Sequence, residues 1–236
     1  MYYRKFQAEV LYLNNKEESL KTEDQLLKIY TLLFEKYGDQ HWWPAQTQIE
    51  VIVGAVLTQF ISWSNVVKAI DNIKRRDMLD ARKLYECDIE LIKEMIRPTG
   101  FFNRKAVILK SVMTFLVEEY DADLDKMFQN PLYALREKLL KVKGIGPETA
   151  DSILLYAGYK KIFVVDAYTI RIFTRLGFLK GDEKYHEVQG FFMKHLPEDV
   201  DLYNQFHALI VKLGSDCCLS KKPRCESCVL NGTYCL

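Results

Sequence analysis

The sequence predicts an all-α fold, and three observations carry that prediction. Apolar residues recur at three- and four-residue spacing through most of the chain. The gaps between these periodic segments hold residues that cap or stop helices. Only one short run, Ile162 to Val165, has β-like character. A chain of 236 residues makes one large domain or two small ones and is long enough to bury a sizeable core. No internal repeat is evident, and no linker rich in Pro, Gly or Ser separates two independent domains.

The elements follow in order. Glu23 to Tyr37 places Leu26, Leu27, Tyr30, Leu33 and Phe34 on one helical face. Thr22 is its expected N-cap, with Gln25 three residues on as in a capping box, and Gly38 its stop. Val51 to Phe60 is almost wholly apolar and reads as a buried central helix. Ser62 is expected to cap Ser64 to Arg75. Asp88 to Ile96 is a short helix ended by Arg97-Pro98-Thr99-Gly100. Asn103 is expected to cap Arg104 to Tyr120, where Ala106, Leu109, Val112, Phe115 and Leu116 form a stripe. Pro131 suits the first turn of a helix running to Val142. Glu148 to Tyr156 follows a glycine turn, and Asp166 then caps Ala167 to Leu176, which Gly177 ends. Lys184 to His195 and Asp201 to Leu213 complete the helices.

Composition limits function more than it assigns it. With 49% hydrophobic and 28% charged residues the chain is an ordinary globular protein. A formal net charge of +1 means that any nucleic-acid binding rests on local charge placement rather than on bulk charge. No apolar run approaches the roughly 20 residues that span a bilayer, so no membrane partner is expected. The N-terminal MYYRKFQAEVLYLNN lacks the apolar core of a signal peptide, and the expected location is cytoplasmic.

Of six cysteines, Cys217, Cys218, Cys225, Cys228 and Cys235 fall in the last twenty residues. A disulfide framework would staple the whole chain, so this clustering indicates a metal site. The pattern Cys218-x6-Cys225-x2-Cys228-x6-Cys235 offers four thiolates, which suit an iron–sulfur cluster or a zinc ion alike.

The chemistry concentrates in Val142-Lys143-Gly144-Ile145-Gly146-Pro147-Glu148-Thr149-Ala150 and in Phe163-Val164-Val165-Asp166 downstream. Gly144 and Gly146 allow a tight turn and a close ligand approach. Pro147 fits the first helical position because its missing N–H needs no helical partner there. The free N–H groups and dipole of the helix that opens at Pro147 favour a phosphate, and Lys143 adds charge beside it. Thr149, in the first turn of the same helix, is expected to contact DNA with the hairpin. A fixed carboxylate such as Asp166 can stabilise positive charge developing on a sugar.

These two stretches resemble the helix-hairpin-helix plus Gly/Pro…Asp motif of the endonuclease III superfamily of DNA glycosylases, and the resemblance covers roughly residues 25 to 236. It implies two helical subdomains with a DNA cleft between them. One is a helical barrel over residues 45–158 that contains the hairpin. The other joins residues 1–44 to 159–236 and carries the carboxylate and the cysteine loop. By this resemblance Asp166 is the essential catalytic acid. Bifunctional members carry a lysine at the position of Glu148, where it forms a Schiff base with the sugar. A carboxylate cannot form that adduct, which implies hydrolysis by water with lyase activity absent or weak. Glu148 either assists that water or is structural.

Trp42-Trp43-Pro44, Gly54-Ala55-Val56-Leu57-Thr58-Gln59, the stretch RPTGFFNRKA from Arg97 and KGIGPETAD from Lys143 resemble a monofunctional 3-methyladenine glycosylase branch. That resemblance implies a base pocket lined by Trp42 and Trp63, with Trp43 and Pro44 beside them. Aromatic faces stack on a flipped base and favour cationic alkylated purines. It further implies that Gln59 fills the gap left by the flipped base and that Phe101 wedges into the stack on the opposite strand. Tyr168 and Thr169 would line the sugar. The cysteine tail resembles the endonuclease III [4Fe-4S] loop, whose last spacing is usually one residue shorter. Cys217 is an alternative first ligand. Lys221, Lys222 and Arg224 would face a DNA phosphate.

The expected activity is therefore a monofunctional base-excision DNA glycosylase, monomeric, acting on double-stranded DNA with a damaged base, most simply an alkylated purine such as 3-methyladenine. The competing readings are a mismatch uracil or thymine glycosylase, an endonuclease III-like glycosylase and lyase, and a non-catalytic binder of DNA structure.

Overall fold

The computed structural model describes residues 21–59 and 61–232. The chain is all-α, with twelve α-helices and no strand among the described residues. In chain order they are α1 (Thr22–Tyr37), α2 (Gln48–Leu57), α3 (Trp63–Arg75), α4 (Ala81–Glu86), α5 (Ile89–Ile96), α6 (Phe102–Tyr120), α7 (Leu124–Phe128), α8 (Leu132–Lys141), α9 (Pro147–Ser152), α10 (Ala167–Arg175), α11 (Tyr185–His195) and α12 (Val200–Asp216). The β-like run Ile162 to Val165 belongs to no strand. Its apolar side chains are all buried, and burial rather than pairing explains their type. None of the described helices is long and apolar enough to cross a membrane.

The helices fall into two compact units. A hairpin unit comprises His41–Val164 with Asp199–Asn204, and a carboxylate unit comprises, among the described residues, 21–40, Val165–Glu198 and 205–232. The breaks lie at 40/41 and 164/165, against 44/45 and 158/159 in the sequence reading, and Asp199–Asn204, with the start of α12, falls with the hairpin unit.

In the hairpin unit the central helix is α2, buried along its whole length from Val51 to Leu57. Its start is fixed by polar contacts, since the Thr47 hydroxyl accepts from the Glu50 N–H at 3.3 Å. Glu50 is itself buried, and its carboxylate accepts from the Gln46 N–H at 3.0 Å and pairs with Lys74 at 2.6 Å. Helices α3 and α6 and a π-helical turn at Ile153–Ala157 pack on α2. Helices α4 and α5 pack on α6. Each apolar side chain so buried contributes about 1.5–3 kcal/mol.

Two expected caps are corrected. Asn103 lies inside α6, which begins a residue earlier behind Phe101. Gly100 and Phe101 have φ of +60° and +44°, so this left-handed pair turns the chain before Asn103 is reached. Thr22 lies inside α1, behind Lys21, and no side chain caps that end. Ser62 does stand at the cap of α3, but its hydroxyl makes no capping bond and is paired with Ser64. Helices α4 and α7 are too short to show as periodic segments, and each opens at an aspartate, Asp80 and Asp123.

The carboxylate unit is built on aromatic packing. Phe173 of α10 meets Phe192 of α11 edge to face at 4.7 Å, and Tyr30 of α1 meets Phe206 of α12 at 5.5 Å. Such pairs contribute about 0.5–1.5 kcal/mol beyond their burial.

Candidate active site and nucleic-acid interface

The hairpin joins α8 to α9 through Val142–Gly146, and an ion pair locks it. Arg136 of α8 donates from Nε at 2.6 Å and from a terminal nitrogen at 3.0 Å to the two oxygens of Asp151, which is fully buried. This fork fixes the angle at which the turn is presented. Gly144 has φ +88°, and a Cβ there would strike Ile108, with Cδ1 at 2.8 Å. The fold therefore demands glycine at 144. Gly146 is different: its backbone is extended, and a Cβ would meet nothing within 4 Å. The space above Gly146 is open at the start of α9, beside the exposed Lys143 and Glu148.

Gln59, just past α2, is held to this hairpin. Its Nε2 donates to the Thr149 hydroxyl at 3.1 Å and to the Gly144 carbonyl at 3.4 Å. Thr149 is thus a buried anchor for Gln59 rather than an exposed contact. Phe101 stands 72% exposed on a left-handed backbone. Strained backbone carrying an exposed apolar ring is a functional signature, because neither feature stabilises the fold.

The three tryptophans form a mutual cluster. Ring centres lie 5.0 Å apart for Trp42 and Trp43, 5.3 Å for Trp42 and Trp63, and 5.2 Å for Trp43 and Trp63. Trp43 also lies over Gly54 of α2 and against Tyr156, so it is the packed floor of the cluster. Trp42 and Trp63 are half-buried, and Pro44 is exposed beside them. The indole N–H groups of Trp42 and Trp43 are buried without a hydrogen-bond acceptor in the protein.

In the carboxylate unit, Asp166 caps α10 in a full capping box. Its Oδ1 accepts from the Thr169 N–H at 2.7 Å and the Thr169 hydroxyl at 2.9 Å. Its Oδ2 faces Nε2 of His207 at 3.7 Å. His207 is buried, and desolvation pushes its pKa below the ordinary value against the opposing pull of Asp166. The imidazole is therefore neutral at neutral pH, and the negative charge of Asp166 is left uncompensated by it. Tyr168 lies against Gly214 of α12, with the Arg171 guanidinium over its ring at 4.9 Å.

Cys218, Cys225 and Cys228 line one cavity of about 230 Å³, together with Cys217, Arg175 and the apolar Ile172, Leu176, Leu213 and Leu230. Cys235 lies outside the described residues. Among those described, no three His, Cys, Asp or Glu side chains converge on a single ion position. Cys218, Cys225 and Cys228 share this cavity, and thiolates suit an iron–sulfur cluster or a zinc ion alike. Cys217 turns its thiol to the Arg224 carbonyl at 3.0 Å, which opposes its use as first ligand. Helix α10 holds this loop. Arg171 donates to the carbonyls of Cys218 at 2.9 Å and Gly214 at 3.0 Å, and Arg175 donates to the Cys218 sulfur at 3.1 Å. Lys221, Lys222 and Arg224 are exposed on the loop.

Two residues at these sites escape motif reading. Lys105 is buried, and its ammonium donates to the carbonyls of Leu57 at 2.9 Å and Thr99 at 2.8 Å. Its signal is position: 105, 109, 112 and 116 form one helical stripe, and the first member of an otherwise apolar set is a lysine. His207 likewise occupies the buried stripe of α12 between Tyr203 and Ile210.

Residues 53–198 match the family model of the HhH-GPD superfamily base excision DNA repair protein. A protein of Methanocaldococcus jannaschii provisionally named a DNA repair glycosylase is 46% identical over 215 residues, 90% of this chain and 96% of its own. The endonuclease III of Sulfolobus acidocaldarius is 35% identical over 153 residues, 65% of each chain. Among solved structures, the H. pylori 3-methyladenine DNA glycosylase MagIII bound to 1,N6-ethenoadenine superposes with a TM-score of 0.74 at 30% identity, over 85% of this chain and all of the other.

Proposed function

Since this chain belongs to the HhH-GPD superfamily of base excision DNA repair proteins, we propose that it is a monofunctional DNA glycosylase that hydrolyses the N-glycosidic bond of a flipped alkylated purine such as 3-methyladenine. Its activity as a base-excision DNA glycosylase follows from the family. The observation that carries the hydrolytic reading is Glu148, a carboxylate exposed on the first turn of α9 where a bifunctional enzyme needs an amine. The tryptophan cluster supports the substrate class. Electron-rich indole faces favour a purine made cationic by alkylation, and the H. pylori relative holds an adenine derivative.

In this mechanism the hairpin grips the backbone of double-stranded DNA through the open approach over Gly146, aided by Lys143. Phe101 wedges the stack, Gln59 fills the vacated gap, and the base stacks on Trp42 and Trp63. The glycosidic pair of electrons leaves with the base. Asp166, held rigid by Thr169, stabilises the oxocarbenium sugar and receives a proton from the water that bonds to the anomeric carbon. Cys218, Cys225 and Cys228, with Cys235 as fourth ligand, would hold a [4Fe-4S] cluster whose contribution is to brace the C-terminal loop. That loop would present Lys221, Lys222 and Arg224 to phosphate.

The test is release of free base from a methylated duplex by the wild type and by Asp166→Asn, each with borohydride trapping. Release of 3-methyladenine that requires Asp166, with no trapped adduct, is the expected result. A trapped adduct would establish the lyase reading, with Lys143 the first candidate amine. DNA binding that survives Asp166→Asn with no base released by either protein, across methylated, deaminated, mismatched and oxidised duplexes, would leave a DNA-structure binder.

A further inference from the structure

The two side chains assigned to invade the duplex, Gln59 and Phe101, come from separate segments of the hairpin unit, 42 positions apart in the chain. One residue ties those segments together. The ammonium of Lys105 donates to the last carbonyl of α2, Leu57, at 2.9 Å, two residues before Gln59. It also donates to the carbonyl of Thr99 at 2.8 Å, two residues before Phe101. The Lys105 backbone N–H donates to the Phe101 carbonyl at 3.0 Å. Phe101 is thus bracketed by one lysine, side chain before it and main chain after it. Thr99 is buried and its hydroxyl donates to the Ile96 carbonyl at 2.8 Å, so the segment that Lys105 grips is itself fixed.

A buried ammonium is costly unless its surroundings use it. Here the two carbonyls it meets, at a helix C-terminus and at a 3-10 turn, are partial negative charges that only a cation or donor could satisfy from inside the core. No carboxylate is among its hydrogen-bond partners. The site is therefore built to hold two chain segments at one spacing and not to neutralise an acid. We propose that Lys105 is a positioning residue for strand invasion: it sets the distance between the gap-filling Gln59 and the wedge Phe101, and acts on DNA only through them. This rests on the reading of Gln59 and Phe101 given above.

The test uses the full-length, cluster-loaded chain and a duplex that pairs a tetrahydrofuran abasic analogue with 2-aminopurine on the opposite strand, whose fluorescence rises on unstacking. Lys105→Met is expected to cut the fluorescence rise at saturating protein by about threefold or more, the low end of coupling between neighbouring residues. Lys105→Arg, which keeps charge and donors, is expected to restore it. Affinity for the same duplex, set by the hairpin, is expected to change by less than about twofold, whereas general loosening of the fold would lower both. In a Gln59→Ala, Phe101→Ala background, which lacks both side chains through which Lys105 acts, Lys105→Met is expected to add nothing. Should Lys105→Met fail to fold, Lys105→Gln reads the same cycle with one donor retained.

Full signal from Lys105→Met, or a further loss in the Gln59→Ala, Phe101→Ala background, overturns the role of Lys105 while leaving the wedge intact. Full signal from Phe101→Ala itself removes the wedge reading, and the role of Lys105 with it.

Discussion

Alanine at the two hairpin glycines should produce opposite failures. At Gly144 the backbone has φ +88°, a conformation that costs an L-residue roughly 1–2 kcal/mol. The new methyl group also runs into Ile108, whose Cδ1 lies 2.8 Å from the ideal Cβ position and which is itself 97% buried, so overpacking adds about 1–3 kcal/mol. The sum, about 2–5 kcal/mol, corresponds to a drop of roughly 5–15 °C in Tm for a chain of this size. At Gly146 the backbone is extended and the space is empty, so Gly146→Ala should be neutral or gain about 0.4–1 kcal/mol from a less flexible unfolded chain. Its methyl group nevertheless projects where a phosphate would approach the N–H groups of α9. DNA affinity should fall about tenfold, or about 1.4 kcal/mol. Thermal unfolding and fluorescence anisotropy on a fixed duplex at one salt concentration read the two effects. A stable Gly144→Ala, or a Gly146→Ala that binds DNA as the wild type does, would refute the division of roles.

Other consequences can be measured directly. Arg136→Met strands the buried Asp151 and should cost about 3–5 kcal/mol in denaturant unfolding, while Arg136→Met with Asp151→Leu should recover much of it. On the proposed [4Fe-4S] ligation, Cys218→Ser should abolish the visible absorbance of the purified protein and Cys217→Ser should keep it, because the Cys217 thiol is turned to the Arg224 carbonyl. Burial lowers the Lys105 pKa from 10.5 to about 8, so between those values the unfolded chain binds more protons than the folded one. The stability of the wild type relative to Lys105→Met should therefore rise with pH through that window, and a difference that falls would reverse the assignment. The lowered pKa of buried His207 has the same sign. Acidification below about pH 6.5 should destabilise the wild type more than His207→Gln, as seen in paired melting curves.

The fold class and the positions of the principal helices were legible because apolar periodicity is long-range within each element, as in α6 and α12. The chemistry-bearing hairpin was legible because Gly144 is a forced choice of backbone geometry and Pro147 suits the first helical position beside it. What escaped depends on tertiary context. The cap of α6 went to Phe101 because two left-handed residues redirect the chain, and nothing local announces a phenylalanine in that conformation. Thr149 looked like a surface contact, yet Gln59, 90 residues earlier in the chain, reaches its hydroxyl and buries it. Lys105 and His207 carry only a positional signal, a polar residue in an otherwise apolar helical stripe, and no motif marks them as buried groups beside functional ones. The fourth cysteine ligand, Cys235, lies outside the described residues and stays a reading of the sequence.

The docking of Gln59 on the hairpin bears on how such a protein scans DNA. Undamaged base pairs vastly outnumber lesions, and an enzyme that intruded at each one would hardly travel. A side chain that must first release Thr149 and the Gly144 carbonyl carries a toll of about 1 kcal/mol for each bond given up. A sound, well-stacked pair does not return that energy, whereas a weakened one does. On the gap-filling role proposed for Gln59, interrogation would thereby be confined to sites already prone to open, and sliding over intact duplex would go on with Gln59 held to the hairpin.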